Sequence, residues 1–119
     1  MLQEFDPGDV LIFQLESGYA LLRVLAVDET DGETVWHIAA YSDLFLDVDG
    51  AENALQNIRT MPLSLSHVAL TNRAFESTQV ARIANAPLTE ADVAPLAAWR
   101  NGGSGEISDR SVRLMLGLR

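Results

Sequence analysis

Short apolar segments separated by polar turns fill the first third of the chain and predict three β-strands. The predicted strands cover residues 10–15, 19–27 and 34–41. Residues 16–18 form a short loop between the first two strands, and we expect its glycine, Gly18, in the left-handed conformation. Asp31-Gly32 lies between the second and third strands and is a strong signal for a tight hairpin. These features together predict an antiparallel meander.

The spacing of apolar residues then changes from that of a strand to that of a helix. Residues 51, 54, 55 and 58 are apolar at helical intervals, and Asp49 is placed to cap this predicted helix. Two further strands are predicted over residues 66–71 and 78–84, with residues 72–76 as a connection. This middle segment therefore adds one helix and two strands to the meander.

Two helices are predicted to close the chain. Thr89 is placed to cap the first, with Asp92 at its third position. Pro95 lies inside this helix, so we expect a kink or a restart there. The glycine-rich residues 102–105 end it, and Ser108 is placed to cap the last helix.

The order β-β-β-α-β-β-α-α predicts one α+β domain over residues 1–119. We expect a small curled antiparallel sheet of about five strands, either an SH3-like roll or a partly open barrel, with a middle helix and two C-terminal helices. A generic α+β sandwich is the alternative. Because residues 19–27 are largely apolar on both faces, this strand is predicted to lie at the centre of the sheet.

Charge is distributed unevenly along the chain. The formal net charge is −9; residues 1–59 carry twelve acids and two arginines, whereas residues 60–119 carry five acids and six arginines. A negative field repels phosphate, so nucleic acid and anionic membranes are poor candidate ligands, and no apolar run is long enough to span a membrane. It attracts another protein with a basic surface. The alternative is that acidity only maintains solubility.

The chain has no cysteine and no lysine. Disulfides, thiolate zinc sites and cysteine nucleophiles are therefore excluded, as are a P-loop and Schiff-base chemistry. The first ten residues lack the basic start and apolar stretch of a secretory signal. We expect a cytoplasmic protein without a cofactor.

Candidate chemistry is limited to histidines and carboxylates. The acidic cluster around Gly50 does not match an EF-hand, because Phe45 and Gln56 stand where that loop needs acidic ligands. His37 and His67 lie on predicted strands among apolar neighbours, as structural histidines do. The alternative is a small enzyme or ligand-binding domain that uses histidine with carboxylates. It requires a concave pocket with His37 or His67 beside an acid.

Binding of another protein is the function that this composition favours. Trp36 and Trp99 are expected in the core, whereas Tyr19 starts a strand after a loop and is a candidate anchor for a partner. The candidate acids are those at the tip of the second hairpin, namely Asp28, Glu29, Asp31 and Glu33. A monomer or a homodimer is expected, and a homo-oligomeric structural protein is a further alternative.

The first 45 residues or so also carry a family resemblance. Phe5, the run Pro7-Gly8-Asp9-Val10, an apolar strand, the run Glu16-Ser17-Gly18-Tyr19-Ala20 and the run Arg23-Val24-Leu25 resemble the start of a predicted immunity-protein family of bacterial polymorphic toxin systems. Where that family commonly has glycine before Arg-Val-Leu, this chain has Leu21-Leu22. The resemblance implies a small cytoplasmic protein without a cofactor that neutralises a toxin by direct binding.

Overall fold

The computed structural model describes residues 4–102 and 105–117, which form an antiparallel sheet flanked by helices. The strands are β1 (Asp9–Leu15), β2 (Gly18–Thr30), β3 (Glu33–Phe45), β4 (Leu63–Thr71) and β5 (Ala81–Asn85). The helices are α1 (Val48–Ala54), α2 (Asn72–Glu76), α3 (Glu90–Asn101) and α4 (Val112–Met115), and a 3-10 helix (Leu55–Thr60) follows α1. The strand order is β4-β3-β2-β1-β5, and the sheet is curled without closing. The predicted α+β class with a partly open sheet is confirmed.

The meander of β1, β2 and β3 has the predicted order, and its second hairpin has the predicted turn. Asp31 and Gly32 join β2 to β3 with φ of 54° and 80°. Positive φ at both central residues is the geometry of the tight turns that match the twist of a hairpin. Both strands are longer than predicted, because pairing continues through polar residues as far as Thr30 and Glu33.

Gly18 has a different role from the predicted one. It is the first residue of β2 and lies outside the left-handed region of the backbone. A Cβ at this position would overlap the carbonyl oxygen of Phe45 on the neighbouring strand. Glycine is therefore suited to this position by the close approach of β3 and not by an unusual backbone conformation.

The core lies on both faces of the sheet, with β2 at the centre as predicted. One face buries Leu22 and Val24 of β2 under Phe75 of α2 and Val112 of α4. The opposite face is covered by α1, the 3-10 helix and α3. Helix α1 contributes Ala51, the 3-10 helix contributes half-buried residues, and α3 contributes Leu96. A strand covered on both faces needs apolar residues at successive positions, which explains the composition of β2.

Two predicted helix caps are displaced by a few residues. Asp47, not Asp49, caps α1, and its Oδ1 accepts the backbone N–H of Gly50 at 2.7 Å. Ser111, not Ser108, caps α4. The backbone of Ser108 instead pairs with β4, donating to the carbonyl of Ala69 at 2.8 Å. In each case the structure uses another polar residue nearby that satisfies the same capping chemistry.

The segment between β4 and β5 also differs from the prediction. Residues 72–76 form α2, which Thr71 caps through its side chain, so the predicted connection is a short helix. The next strand begins at Ala81 rather than at Thr78, whose side chain is buried. A five-residue helix carries too few apolar positions for its period to be recognised in the sequence.

Helix α3 has its predicted cap and continues through the position of the predicted kink or restart. Thr89 and Asp92 form the reciprocal capping box. The helix then continues through Pro95 to Asn101, and no restart occurs. Pro95 is the sixth residue of the helix, so its missing N–H removes a single early hydrogen bond. Gly102 follows the helix, and residues 103 and 104 of the predicted glycine-rich stop lie outside the described residues.

Arg23 fixes the start of α3 against the sheet. This arginine is buried at the centre of β2. Its Nη2 donates to the carbonyls of Ala86 and Pro87 at 2.6 and 2.9 Å, and its Nη1 pairs with Asp92 at 3.3 Å. Charge-assisted hydrogen bonds of this kind hold the segment before α3 and its first turn together. None of the helices in the described part of the chain is long and apolar enough to cross a membrane.

Candidate functional site

The hairpin tip presents three of the four predicted acids to solvent. Glu29, Asp31 and Glu33 are exposed, and none of the ion pairs within the described residues includes them. Asp28 is different, because it is half-buried and contacts His37 and Arg100. The tip is therefore a small surface of three unneutralised carboxylates, and Asp28 belongs to another site.

Tyr19 lies far from these acids. It is the second residue of β2, whereas Glu29 is ten residues further along the same strand. At a rise of about 3.3 Å per residue the two positions are roughly 30 Å apart. Tyr19 is half-buried opposite Phe45 of β3. The structure thus does not bring the predicted aromatic anchor together with the predicted acids.

A second acidic surface surrounds the end of β3, near Tyr19. Its leucines, Leu44 and Leu46, are 52% and 90% exposed. Three exposed carboxylates alternate with them or follow them, and we call these five residues the β3-end surface: Asp43, Leu44, Leu46, Asp47 and Asp49. In the sequence, Asp49 predicts a helix start, and nothing in the pattern of this segment shows that Leu44 and Leu46 remain uncovered.

The polar chain formed by Asp28, His37 and His67 crosses three neighbouring strands. Asp28 Oδ2 lies 2.9 Å from His37 Nε2, and His37 Nδ1 lies 2.9 Å from His67 Nε2. The three residues belong to β2, β3 and β4. His37 is fully buried, whereas His67 is half-buried. Both distances are those of good hydrogen bonds, so the chain connects a carboxylate to a histidine near the surface.

Two residues of α3, Trp99 and Arg100, cover the polar chain. Arg100 Nη2 lies 2.7 and 2.9 Å from the two carboxylate oxygens of Asp28. The indole of Trp99 meets the ring of His37 edge-on at 4.9 Å between centroids and lies 5.6 Å from that of His67. Trp99 is half-buried and Trp36 is buried, which agrees with the predicted core role more closely for Trp36.

The surroundings set the charges of the three groups. Burial lowers the pKa of His67 to about 4, and electrostatic interactions with a protonated His37 and with Arg100 act in the same direction. Burial also lowers the pKa of His37, although the hydrogen bond to Asp28 opposes this change. Burial alone would raise the pKa of Asp28, but hydrogen bonds from His37 and Arg100 outweigh it and lower the pKa. At neutral pH both imidazoles are therefore uncharged and Asp28 is ionised.

A groove of about 580 Å³ runs beside His67. Its wall includes polar and aromatic side chains from β4, α3 and the segment before α4: His67, Trp99, Glu106, Ser108 and Arg110. This volume lies within the range of sites for small molecules. A histidine that is linked through His37 to a carboxylate thus forms part of a groove wall, which is the arrangement that the small-enzyme alternative requires.

Neither the described residues nor the comparisons with known proteins identify a ligand for this groove. Among the residues that the structure describes, no three histidine or acidic side chains are grouped so that they could hold a metal ion. Comparison of the chain with protein-family models, with curated proteins and with solved structures finds no match in any of the three.

Proposed function

We propose that this protein binds another protein that carries a basic surface, and that the β3-end surface is its main contact. The observation that carries the proposal is the combination, in five neighbouring residues, of two exposed leucines with three exposed carboxylates. Stable protein interfaces commonly have an apolar centre and a polar rim. Leu44 and Leu46 supply the centre, and the acids supply the rim.

The distribution of ion pairs supports a basic partner. Four acids neutralise cations within the described part of the chain, namely Asp9, Asp28, Asp92 and Asp109. The acids of the β3-end surface and of the hairpin tip take no part in these pairs. Their charge is left to attract a cationic protein and to raise its rate of association.

Tyr19 and the tip acids lie outside the main contact in this proposal. Tyr19 pairs with Phe45, so its side chain is on the other face of the sheet from Leu44 and lies outside the apolar centre of the contact. Glu29, Asp31 and Glu33 are too distant for the same small contact and act on the partner through long-range attraction. Asp28 is not part of the proposed interface, because Arg100 and His37 already hold its carboxylate.

Within this proposal the partner class is the one that the family resemblance implies. A cytoplasmic immunity protein binds a toxin and blocks it by steric and electrostatic means. The resemblance covers the strands that carry Tyr19 and the start of β3, and the proposed contact lies at the end of that region. The toxin is expected to be the product of a neighbouring reading frame.

Replacing both exposed leucines by serine is expected to weaken the complex about 30-fold or more, because loss of a central anchor costs about 2 kcal/mol or more. The test is to co-express the protein with the product of each neighbouring reading frame and to measure the affinity of any complex by calorimetry. Where such a product is toxic, the wild-type protein should restore growth and the L44S/L46S variant should not.

Leu114 provides a matched control, since it is 63% exposed and lies on α4 beside Arg113. The L114S variant should bind like the wild type. Failure to find a complex with any neighbouring product, or equal binding by L44S/L46S, contradicts the proposal. Light scattering that shows a dimer broken by L44S/L46S would identify the occupant of the surface as a second copy of this chain, which also overturns it.

A further inference from the structure

The polar chain has only one arrangement of protons at neutral pH. Asp28 is ionised and can only accept, so His37 must donate from Nε2. His37 is neutral, so its Nδ1 is an acceptor, and His67 must donate to it from Nε2. His67 is neutral as well, which leaves an unprotonated lone pair on its Nδ1. Asp28 therefore fixes the tautomer of a histidine two hydrogen bonds away.

The free nitrogen belongs to the side chain that borders the groove. No hydrogen bond to His67 Nδ1 occurs among the described residues, whereas His67 Nε2 is bonded to His37. Charged groups come from each element near the ring: Asp28 of β2 and Arg100 of α3 belong to the polar chain and its cover, and Glu106 and Arg110 of the segment before α4 line the same groove. Arg110 offers a positive charge to an anionic oxygen in the same groove.

We propose that this groove is a hydrolytic site for a small ester, in which His67 Nδ1 acts as the general base and Asp28 and His37 are positioning residues. A water molecule gives a proton to His67 Nδ1 while its oxygen attacks the carbonyl carbon. The bond between that carbon and the leaving oxygen then breaks, and the leaving alcohol takes up the proton from His67. The carboxylate of Asp28, through His37, fixes the tautomer of His67 that leaves Nδ1 free to take the proton.

This activity is independent of the proposed partner binding. The groove wall and the β3-end surface share no residue. A variant of one site therefore reports on that site alone, and failure of either proposal leaves the other in place.

The test uses 4-nitrophenyl acetate as the probe and the release of nitrophenolate as the readout. The absence of lysine and cysteine makes the chain well suited to it, because only the histidines and the terminal amine remain as common nucleophiles toward the ester. His37 is fully buried, so the competing group is the terminal amine. We expect the His67→Asn variant to lose at least tenfold in rate, since asparagine can donate to His37 but cannot accept a proton.

The pH profile distinguishes the sources of activity. Hydrolysis by His67 should follow an inflection near pH 4, the pKa of this side chain. An exposed imidazole gives an inflection near 6.5 and a terminal amine one near 8. An unchanged rate in the His67→Asn variant, an inflection near 6.5 or 8, or a rate no higher than the buffer background overturns the proposal.

The positioning role of Asp28 has its own readout. In ¹⁵N-detected NMR of the wild type, His67 should carry its proton on Nε2, whereas Asp28→Asn should mix both tautomers and lower the rate several-fold. An asparagine can donate as well as accept, so it no longer fixes the direction of the hydrogen bonds in the polar chain. Asp6→Asn makes the same chemical change at an exposed site and should alter neither quantity. A His67 tautomer unaffected by Asp28→Asn contradicts the positioning role, even if that variant is less stable.

Discussion

Replacing Phe75 by alanine is expected to lower the free energy of unfolding by about 3–5 kcal/mol. The ring is fully buried, and it stacks on the indole of Trp36 at 4.0 Å between centroids with an interplanar angle of 10°. Phe5 meets the same ring edge-on at 5.9 Å. Truncation therefore removes a large apolar surface from the core and leaves a cavity between α2 and the sheet, which the surrounding side chains can fill only in part.

Urea denaturation followed by tryptophan fluorescence measures this loss, and the slope with urea should stay constant if only stability changes. Phe45→Ala is the matched control, because Phe45 is half-buried at the end of β3. We expect it to lose less than half as much as Phe75→Ala. Equal losses for the two variants would show that the stacked cluster around Trp36 is not the main core of the fold.

Acidification from pH 6.5 to about pH 4 is expected to destabilise the protein through His67 by about 2 kcal/mol, allowing for solvent screening at this half-buried side chain. The unfolded chain binds a proton at His67 below about pH 6.5, whereas the folded protein does so only below about pH 4. The unfolded state thus holds more protons between these values. The stabilisation is complete above pH 6.5 and is lost as the pH falls through this window.

Urea titrations at pH 7, 5.5 and 4.5 test this prediction. The lowered pKa of His37 acts in the same direction, so the His67→Asn variant should show a weaker but not absent dependence on pH. Asp9 and Asp92 also have lowered pKa values, but the stability that they contribute is lost only near and below pH 3.8. Their titration therefore lies outside the window between pH 6.5 and pH 4. A pH dependence in His67→Asn equal to that of the wild type would show that His67 is not held in its neutral form.

The pairing of β2 with β3 shows why the site formed by Asp28, His37 and His67 was not predictable from the sequence. Asp28 and His37 come to share a face because a bulge between Val24 and Ala26 shifts the register of β2 against β3 by one residue. With that shift His37 lies opposite Ala26; in the regular register Trp36 would occupy the position. A one-residue shift exchanges the two faces of a strand, so the bulge decides which ring reaches Asp28.

The proposed interface was not predictable from the sequence either. Tyr19 and the acids of the hairpin tip were both recognisable as candidate contacts, but the length of β2 separates them by roughly 30 Å. Leu44 and Leu46 carry no local signal that distinguishes them from buried leucines such as Leu21 and Leu22. Their exposure is a property of the packed molecule and not of the local sequence.

The sequence by itself determined the local elements of this protein. The Asp31-Gly32 turn and the Thr89–Asp92 capping box act through neighbouring atoms, and the two-sided apolar pattern of β2 follows from its central position. Only the tertiary structure decided the line of Asp28, His37 and His67, the cover supplied by Trp99 and Arg100, and the exposure of the leucines after β3. These features depend on register, bulges and helix docking, which join residues that are distant in the chain.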